Sequence, residues 1–283
     1  MRLFTISIQS FRSIDFKKFE FTSPITIFCG KNNAGKTSIL EALYFCSNLG
    51  TFKSTPSSEI IQTNQKSFKI SLNFLQNTIN NTIFIEKSLK SSKCTYNDKK
   101  ISKKNLLLSF PCYSLVFGFN NILLNDSSYR RDFIDSGMFH VEPESHNALS
   151  LFQKTLKQRN FMLKSKSLKD IDFWNKEIIS ANNHVHQLRY HYFNLLETEF
   201  TKILDSLKIE MPDIYEEVAT IKLAYEKGWM NTFEEALIAS SKKDMALGYT
   251  TVGTHRSDIS IKSKGKLVKE SGSMSTLVMA CLI

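Results

Sequence analysis

The sequence predicts an α/β protein in which a helical part lies between two strand-rich stretches. Three observations support this prediction: alternating apolar and polar residues near the N-terminus, a glycine-rich loop between an apolar run and an amphipathic segment, and a heptad pattern in the middle. We predict a strand-rich lobe at 1–110 that holds the loop, a mainly helical lobe at 111–245, and a return to strands and turns at 246–283.

The N-terminal lobe contains the predicted strands. Residues 3–8 and 16–21 alternate as short strands, and the apolar run at 25–29 predicts a buried strand of a covered sheet. Residues 69–75 and 81–85 predict a hairpin around an asparagine-containing turn.

The apolar run leads into GKNNAGKT, which matches the phosphate-binding pattern GxxxxGK[ST], and residues 38–45 follow it with helical spacing. Glycines at these positions allow a tight wrap, so that the backbone N–H groups of the loop and of the helix N-terminus face a phosphate. The candidate cofactor-binding residues are Gly30, Lys31, Asn32, Asn33, Ala34, Gly35, Lys36 and Thr37.

Within this loop, Lys36 is expected to contact the β- and γ-phosphates, and Thr37 is expected to place its hydroxyl on Mg²⁺. The loop therefore predicts binding of ATP or GTP, and ATP and Mg²⁺ are the cofactors we expect. The alternative is an ordinary turn that matches the pattern by chance, expected in about one such chain in two hundred.

The charge balance favours a polyanionic partner. Lys and Arg number 37 against 27 acidic residues, which gives a net charge of +10 and a pI near 9.2. A solvated basic surface inherited from codon bias is the alternative. The 5 cysteines form no CxxC pair and the 6 histidines no zinc pattern, and no signal peptide or membrane span is evident. The chain is therefore expected to be cytoplasmic, with no membrane partner.

The middle of the chain has a helical period. Mostly apolar residues spaced three or four positions apart form one face of a helix, which we call the seam: Trp174, Ile178, Ala181, Val185, Leu188, Tyr192 and Leu195. An upstream segment has the same spacing at Leu149, Phe152, Leu156 and Leu163, and Arg159 occupies one position of that seam. The polar connection KSKSLKD predicts two antiparallel helices whose seams pack on each other, with an outside docking surface as the alternative.

Five segments, taken in order, resemble one family. They are SFRS at 10–13, SILEALY at 38–44, RRDFID at 130–135, LKQRN at 156–160, and GYT…GTHRSD at 248–258. Together they are similar to the RecF family of recombination mediators among the SMC-like ABC ATPases. The resemblance implies a P-loop ABC/SMC-type ATPase head with an inserted α-helical arm domain, in which 1–110 is the ATPase lobe.

The resemblance also implies a function. Members are ATP-dependent DNA-binding proteins of DNA replication, recombinational repair and SOS induction, which bind single-stranded, gapped or junction DNA and aid recombinase loading. The implied partners are DNA, partner recombination mediators and a second copy of the chain in an ATP-dependent homodimer. The family is a weak DNA-dependent ATPase.

Departures from the family pattern limit the prediction of activity. Residues 117–120 read FGFN where an acidic segment is usual, Thr254 replaces a proline, and residues 270–275 keep little of the signature SQGQQR. Walker B and the catalytic glutamate are expected beyond Ile283, so the chain is expected to be C-terminally truncated and to bind rather than hydrolyse ATP. No catalytic residue is assigned. A non-enzymatic remnant with weak nucleotide or DNA binding, or another SMC-like P-loop ATPase, remains an alternative.

Basic residues supply the candidate DNA contacts. One run without acids contains Lys154, Lys157, Arg159, Lys164, Lys166 and Lys169, and it is either a DNA footprint or a solvated surface. The pair Arg130 and Arg131 either contacts phosphate or is held in structural ion pairs, which we favour. The expected partners are Asp126, Asp132 and Asp135. The trio of His255, Arg256 and Asp258 predicts a structural turn or a nucleotide-proximal contact.

Overall fold

The computed structural model describes residues 1–32, 34–52, 56–112, 114, 126–166 and 170–268. Its contacts divide the chain into two units, Met1–Leu115 and Val116–Ile283, and each unit has hydrophobic clusters of its own. Among the helices in these ranges, none is long and apolar enough to cross a membrane.

The first unit is built on an antiparallel sheet with the strand order β2-β1-β3-β4-β5-β6. Its strands are β1 (Arg2–Phe11), β2 (Ile14–Glu20), β3 (Ser67–Gln76), β4 (Ile79–Ser88), β5 (Ser92–Tyr96) and β6 (Lys99–Lys100). The two predicted N-terminal strands and the predicted hairpin are confirmed. The hairpin turns at Asn77 and Thr78, which both have positive φ, as a two-residue turn between twisted strands requires.

One face of this sheet is covered by helix α1 (Lys36–Asn48). The short helix α2 (Ser57–Ile60) follows α1 in the chain, and the short helix α3 (Lys103–Ser109) contacts α1. Phe45 of α1 meets Phe11 and Phe68 edge to face, with ring centroids 6.3 Å and 5.2 Å away. All three rings are almost completely buried, so aromatic packing fixes α1 on the sheet.

The predicted buried strand at 25–29 is wrong for the described residues. That segment is not a strand, and Ile25 and Ile27 are 79% and 80% exposed. A strand needs a neighbour that pairs its N–H and C=O groups, and no strand in the described part of the first unit pairs with this segment. An apolar run by itself therefore did not specify pairing.

The second unit combines five helices among the described residues with a small sheet. The helices are α4 (Ser127–Val141), α5 (Ser145–Ser165), α6 (Ile171–Glu210), α7 (Pro212–Val218) and α8 (Phe233–Leu247). The sheet has the order β7 (Ile221–Glu226), β8 (Asp258–Ser263) and β9 (Lys266–Leu267), with a 3-10 turn at Thr254–Arg256 before β8. Strands β8 and β9 lie within the stretch predicted to return to strands and turns, and a turn at Lys264 and Gly265 joins them.

Helices α5 and α6 form the predicted antiparallel pair. Phe152 of α5 and Ile178 and Val185 of α6 are buried in one shared cluster. Farther along α6 the seam drifts, because Leu195 is 41% exposed whereas Phe193 is buried. A straight α-helix has 3.6 residues per turn, so it leaves a strict heptad register after a few turns.

Candidate nucleotide site and buried polar network

The glycine-rich loop ends where α1 begins. Gly35 is the N-cap of α1 and has φ 86° and ψ 8°, a left-handed conformation that glycine adopts without a steric penalty. A Cβ at Gly35 would lie 3.5 Å from Cγ1 of Ile14, so the loop also approaches the turn between β1 and β2 closely. Asn33 lies outside the described residues.

The N-terminus of α1 is built to accept an anion. The N-cap glycine offers no side-chain acceptor, and the first turn contains no acidic residue. The first backbone N–H groups of a helix have no intrahelical partner, and the helix dipole adds partial positive charge at this end. A phosphate would satisfy both requirements.

Lys36 lies in the first turn of α1 and reaches back over the loop. Its Nζ donates hydrogen bonds to the carbonyl oxygens of Gly30 at 2.7 Å and Lys31 at 2.8 Å. Within the described ranges no carboxylate pairs with this ammonium group, so its charge remains available to a phosphate.

Thr37 is half-buried in the same turn of α1. The described residues contain no cluster of three His, Cys, Asp or Glu side chains that could hold a metal ion. A Mg²⁺ ion at Thr37 would therefore depend on phosphate oxygens and water for most of its ligands, which is the usual way Mg²⁺ binds beside nucleotides. The residues present fit that arrangement.

A buried ion pair joins α1 to the turn after β1. Nε and Nη2 of Arg12 donate to the Glu41 carboxylate at 3.0 Å and 2.7 Å, and the Glu41 side chain is 1% exposed. Sequence spacing did not reveal this pair, because its members lie 29 positions apart. The only sequence signal for this pair was that Arg12 and Glu41 each lie in a segment that resembles the family, at 10–13 and 38–44.

In the second unit, the paired arginines are structural. Arg130 donates to both carboxylate oxygens of Asp258, at 2.6 Å and 2.9 Å. Arg131 donates to the Ser127 hydroxyl and the Ser257 carbonyl. The structural interpretation of Arg130 is confirmed, but its carboxylate partner in these contacts is Asp258, on β8.

Arg189 of α6 is the centre of a second group of contacts. It donates to both oxygens of Asp135, at 2.7 Å and 2.8 Å, and also to the Thr254 carbonyl and the Ser257 hydroxyl. Arg189 therefore ties the 3-10 turn to α4. Burial, followed by the nearby charge of Asp135, raises the pKa of Asp132.

Arg159 is the centre of a third group, and the DNA-footprint interpretation is wrong for this residue. Its side chain is 2% exposed and donates to Asn175, Asp244 and Thr250 at 2.8 Å, 2.8 Å and 2.6 Å. Asn160 accepts hydrogen bonds from the N–H and hydroxyl of Thr250. The segments at 130–135, 156–160 and 248–258 thus meet in one buried polar network.

His255 belongs to this network as a neutral side chain. Its Nε2 donates to the Thr250 carbonyl at 3.0 Å, whereas Nδ1 is buried without a partner. Burial, with smaller contributions from Arg256 and Arg131, lowers the pKa of His255 to about 4. Together with the pairing of Asp258 to Arg130, these contacts favour the structural turn of the two predicted alternatives.

The other basic residues of α5 are exposed. Lys154, Lys157 and Lys164 share one helix face, because their spacing of three and seven returns to the same side of a helix. Phe161 lies between them on that face and is 64% exposed. We call these four residues the α5 stripe. Lys166 is exposed at the end of α5, whereas Lys169 and residues 270–275 lie outside the described residues.

Comparison with known proteins finds relatives that share one name, RecF. The AAA domain family matches residues 5–245. The DNA replication and repair protein RecF of Pseudoalteromonas translucida is 29% identical over 276 residues, which cover 95% of this chain and 74% of the relative. RecF of Coxiella burnetii is 30% identical over 259 residues, which cover 90% and 70%.

Solved structures agree on the fold. A structure described as the recombination mediator protein RecF-ATP in the RecFOR pathway superposes with a TM-score of 0.84 at 19% identity, covering 99% of this chain and 79% of that one. A second RecF structure, with ATPrS, gives a TM-score of 0.79. The predicted α/β P-loop ATPase fold with a helical part is confirmed.

Proposed function

Since the chain belongs to the RecF family, we infer that it is an ATP-dependent DNA-binding protein of DNA replication and recombinational repair. The observation that carries the ATP-binding part of this inference is the loop at the start of α1, which combines a left-handed glycine N-cap, the first N–H groups of the helix and the Lys36 ammonium.

The loop residues would divide the work of holding ATP. The backbone N–H groups from Gly30 to Thr37 would cradle the phosphates, and Lys36 would exchange its two loop carbonyls for phosphate oxygens. The Thr37 hydroxyl would contribute a ligand to Mg²⁺. When bound, Mg²⁺ would neutralise part of the phosphate charge.

Removal of the Lys36 charge tests the ATP site. Lys36→Ala should weaken ATP binding about ten-fold or more, because a charge-assisted contact of roughly 1.5–3 kcal/mol is lost. Lys17→Ala is the matched control, since Lys17 is an exposed lysine of β2 outside the loop and its loss removes the same charge. Isothermal titration calorimetry should give near wild-type affinity for Lys17→Ala, and equal affinity in all three proteins would contradict the assignment.

The α5 stripe is the surface we assign to DNA. Its three lysines are exposed on one face, and no acid lies between 145 and 166 on this helix. Lysines arranged in this way neutralise backbone phosphates without reading sequence. Phe161, exposed among them, offers an aromatic face to an unpaired base, which favours single-stranded or gapped DNA.

Salt dependence tests this surface. Changing Lys154, Lys157 and Lys164 to Gln should lower the slope of log K against log salt by about 2–3, because each phosphate contact contributes about 0.7–0.9. The control replaces the exposed lysines 222, 262 and 264 of the small sheet and removes the same net charge. Equal effects of the two triple variants would assign binding to net charge instead of the stripe.

The remaining parts of the proposal rest on membership of the RecF family. They are the ATP-dependent homodimer, the partner recombination mediators, recombinase loading at gaps and junctions, SOS induction and a cytoplasmic location. The assignment of 1–110 as ATPase lobe, 111–245 as helical lobe and 246–283 as the strand-and-turn region belongs with them.

A further inference from the structure

The turn between β1 and β2 has two residues, and Arg12 is the first of them. Arg12 has φ 54°, in the left-handed region that side chains other than glycine rarely adopt. Phe11 before it and Ile14 after it pair across the hairpin and are almost completely buried. A two-residue hairpin turn requires a positive φ at its first residue, so this turn type fixes the place from which the Arg12 side chain leaves the hairpin.

The contacts that hold this turn come from α1 and α2. The Arg12 guanidinium forms a two-pronged pair with Glu41 of α1, and Nη1 donates to the Glu59 carbonyl of α2 at 3.2 Å. The carboxylate of Glu41 is almost fully removed from water, so it requires this partner. Arg12 thereby joins three elements of the first unit.

The same turn also contacts the phosphate-binding loop. A Cβ on Gly35 would lie 3.5 Å from Ile14 Cγ1 and 3.8 Å from Ser13 Oγ. Glu41 lies about 9 Å farther along α1, at roughly 1.5 Å per residue. The turn therefore touches α1 at its N-cap and again, through Arg12, near its middle.

A third contact, the Phe45 ring packed edge to face on Phe11 and Phe68, lies off the line that joins these two attachments, and together the three contacts fix the rotation of α1 about its own axis. The rotation of α1 sets the direction of its first N–H groups and of Lys36. We propose that Arg12 and Glu41 are positioning residues for the nucleotide site, which hold the first turn of α1 in the orientation that receives the triphosphate. This proposal rests on the proposed function, and it requires neither side chain to touch ATP.

The test uses the 283-residue chain. Arg12→Lys keeps the charge but loses the planar two-pronged geometry, and Glu41→Gln keeps the shape but loses the charge. The exposed pair Lys69–Glu86 lies on the same sheet with an N–O distance of 3.4 Å, so Glu86→Gln is the matched control. Calorimetry would measure the dissociation constants and stoichiometries of ATP and of inorganic tripolyphosphate.

The expected result is a rise of about ten-fold or more in the dissociation constant of ATP in both variants. The dissociation constant of tripolyphosphate should rise by the same factor, because both variants disturb the contacts with the phosphates. Stoichiometry should stay at the wild-type value for Arg12→Lys when it is measured well below the thermal midpoint of that variant, whereas a purely structural role would lower the stoichiometry and leave the affinity unchanged. Glu86→Gln should match wild type.

A double variant keeps the test decisive if Glu41→Gln fails to fold. Arg12→Met with Glu41→Leu removes both buried charges, so no carboxylate is left without a partner. ATP affinity within about two-fold of wild type in this variant and in Arg12→Lys would overturn the positioning role. Failure of the unaltered chain to bind ATP, or full affinity in Lys36→Ala, would instead overturn the proposed function.

Discussion

Removing Arg159 should destabilise the second unit and leave the DNA surface in place. The Arg159 and Asp244 side chains are 2% and 0% exposed, and Nη1 of Arg159 lies 2.8 Å from Oδ2 of Asp244. Arg159→Met leaves a buried carboxylate without its cation, for which losses of about 3–5 kcal/mol are typical. Asp244 keeps hydrogen bonds from Thr251 and Ser240, so we expect about 3 kcal/mol.

The assay follows from the tryptophan positions. The chain has 2 tryptophans, Trp174 and Trp229, and both lie in the second unit, so their fluorescence during urea unfolding reports on that unit. With m values of about 1–3 kcal/mol/M, the urea midpoint of Arg159→Met should fall by about 1–3 M.

Two companion variants sharpen the result. Lys157→Met changes an exposed position on the same helix. Its free energy of unfolding should change by no more than about 0.5 kcal/mol, while its DNA binding weakens. Arg159→Met with Asp244→Asn leaves no buried charge and should recover part of the loss. If Arg159→Met unfolds at the same midpoint as Lys157→Met, the structural role of Arg159 is refuted.

Two further perturbations test the packing and the titration of the second unit. Gly137→Ala should cost about 1–3 kcal/mol, because its Cβ would lie 2.0 Å from the Tyr192 hydroxyl oxygen and the tyrosine ring must move. Gly265→Ala has open space around it and should cost about 1–2 kcal/mol in the same urea assay, from its φ of +80° alone. The pKa of His255 is lowered by burial to about 4 in the fold, below its ordinary 6.5, so the unfolded chain binds the proton first and stability should fall as pH drops from 6.5 towards 4. Urea midpoints at pH 7 and pH 5 should differ less in His255→Gln than in wild type, and an equal pH dependence would contradict this assignment.

The sequence by itself determined the parts of the fold that depend on short-range pattern. Alternation at 3–8 and 16–21 predicted β1 and β2, because side chains of a strand point to opposite faces in turn. The seam predicted the α5–α6 pair for the equivalent reason in helices. The glycine-rich loop was predicted at the start of α1, since its conformation depends on a few adjacent residues.

The tertiary structure alone decided which charged groups meet. Arg130 could pair with any of three nearby aspartates in sequence, yet its partner here is Asp258, 128 positions away. Arg159 lies within a basic run that suits DNA, yet it is buried, because its helix position faces α6 and the segment at 248–258. The apolar run at 25–29 suits a strand, but no neighbour pairs with it in the described residues. Burial and partner choice arise from contacts between distant segments, and periodicity along the chain contains no information about those contacts.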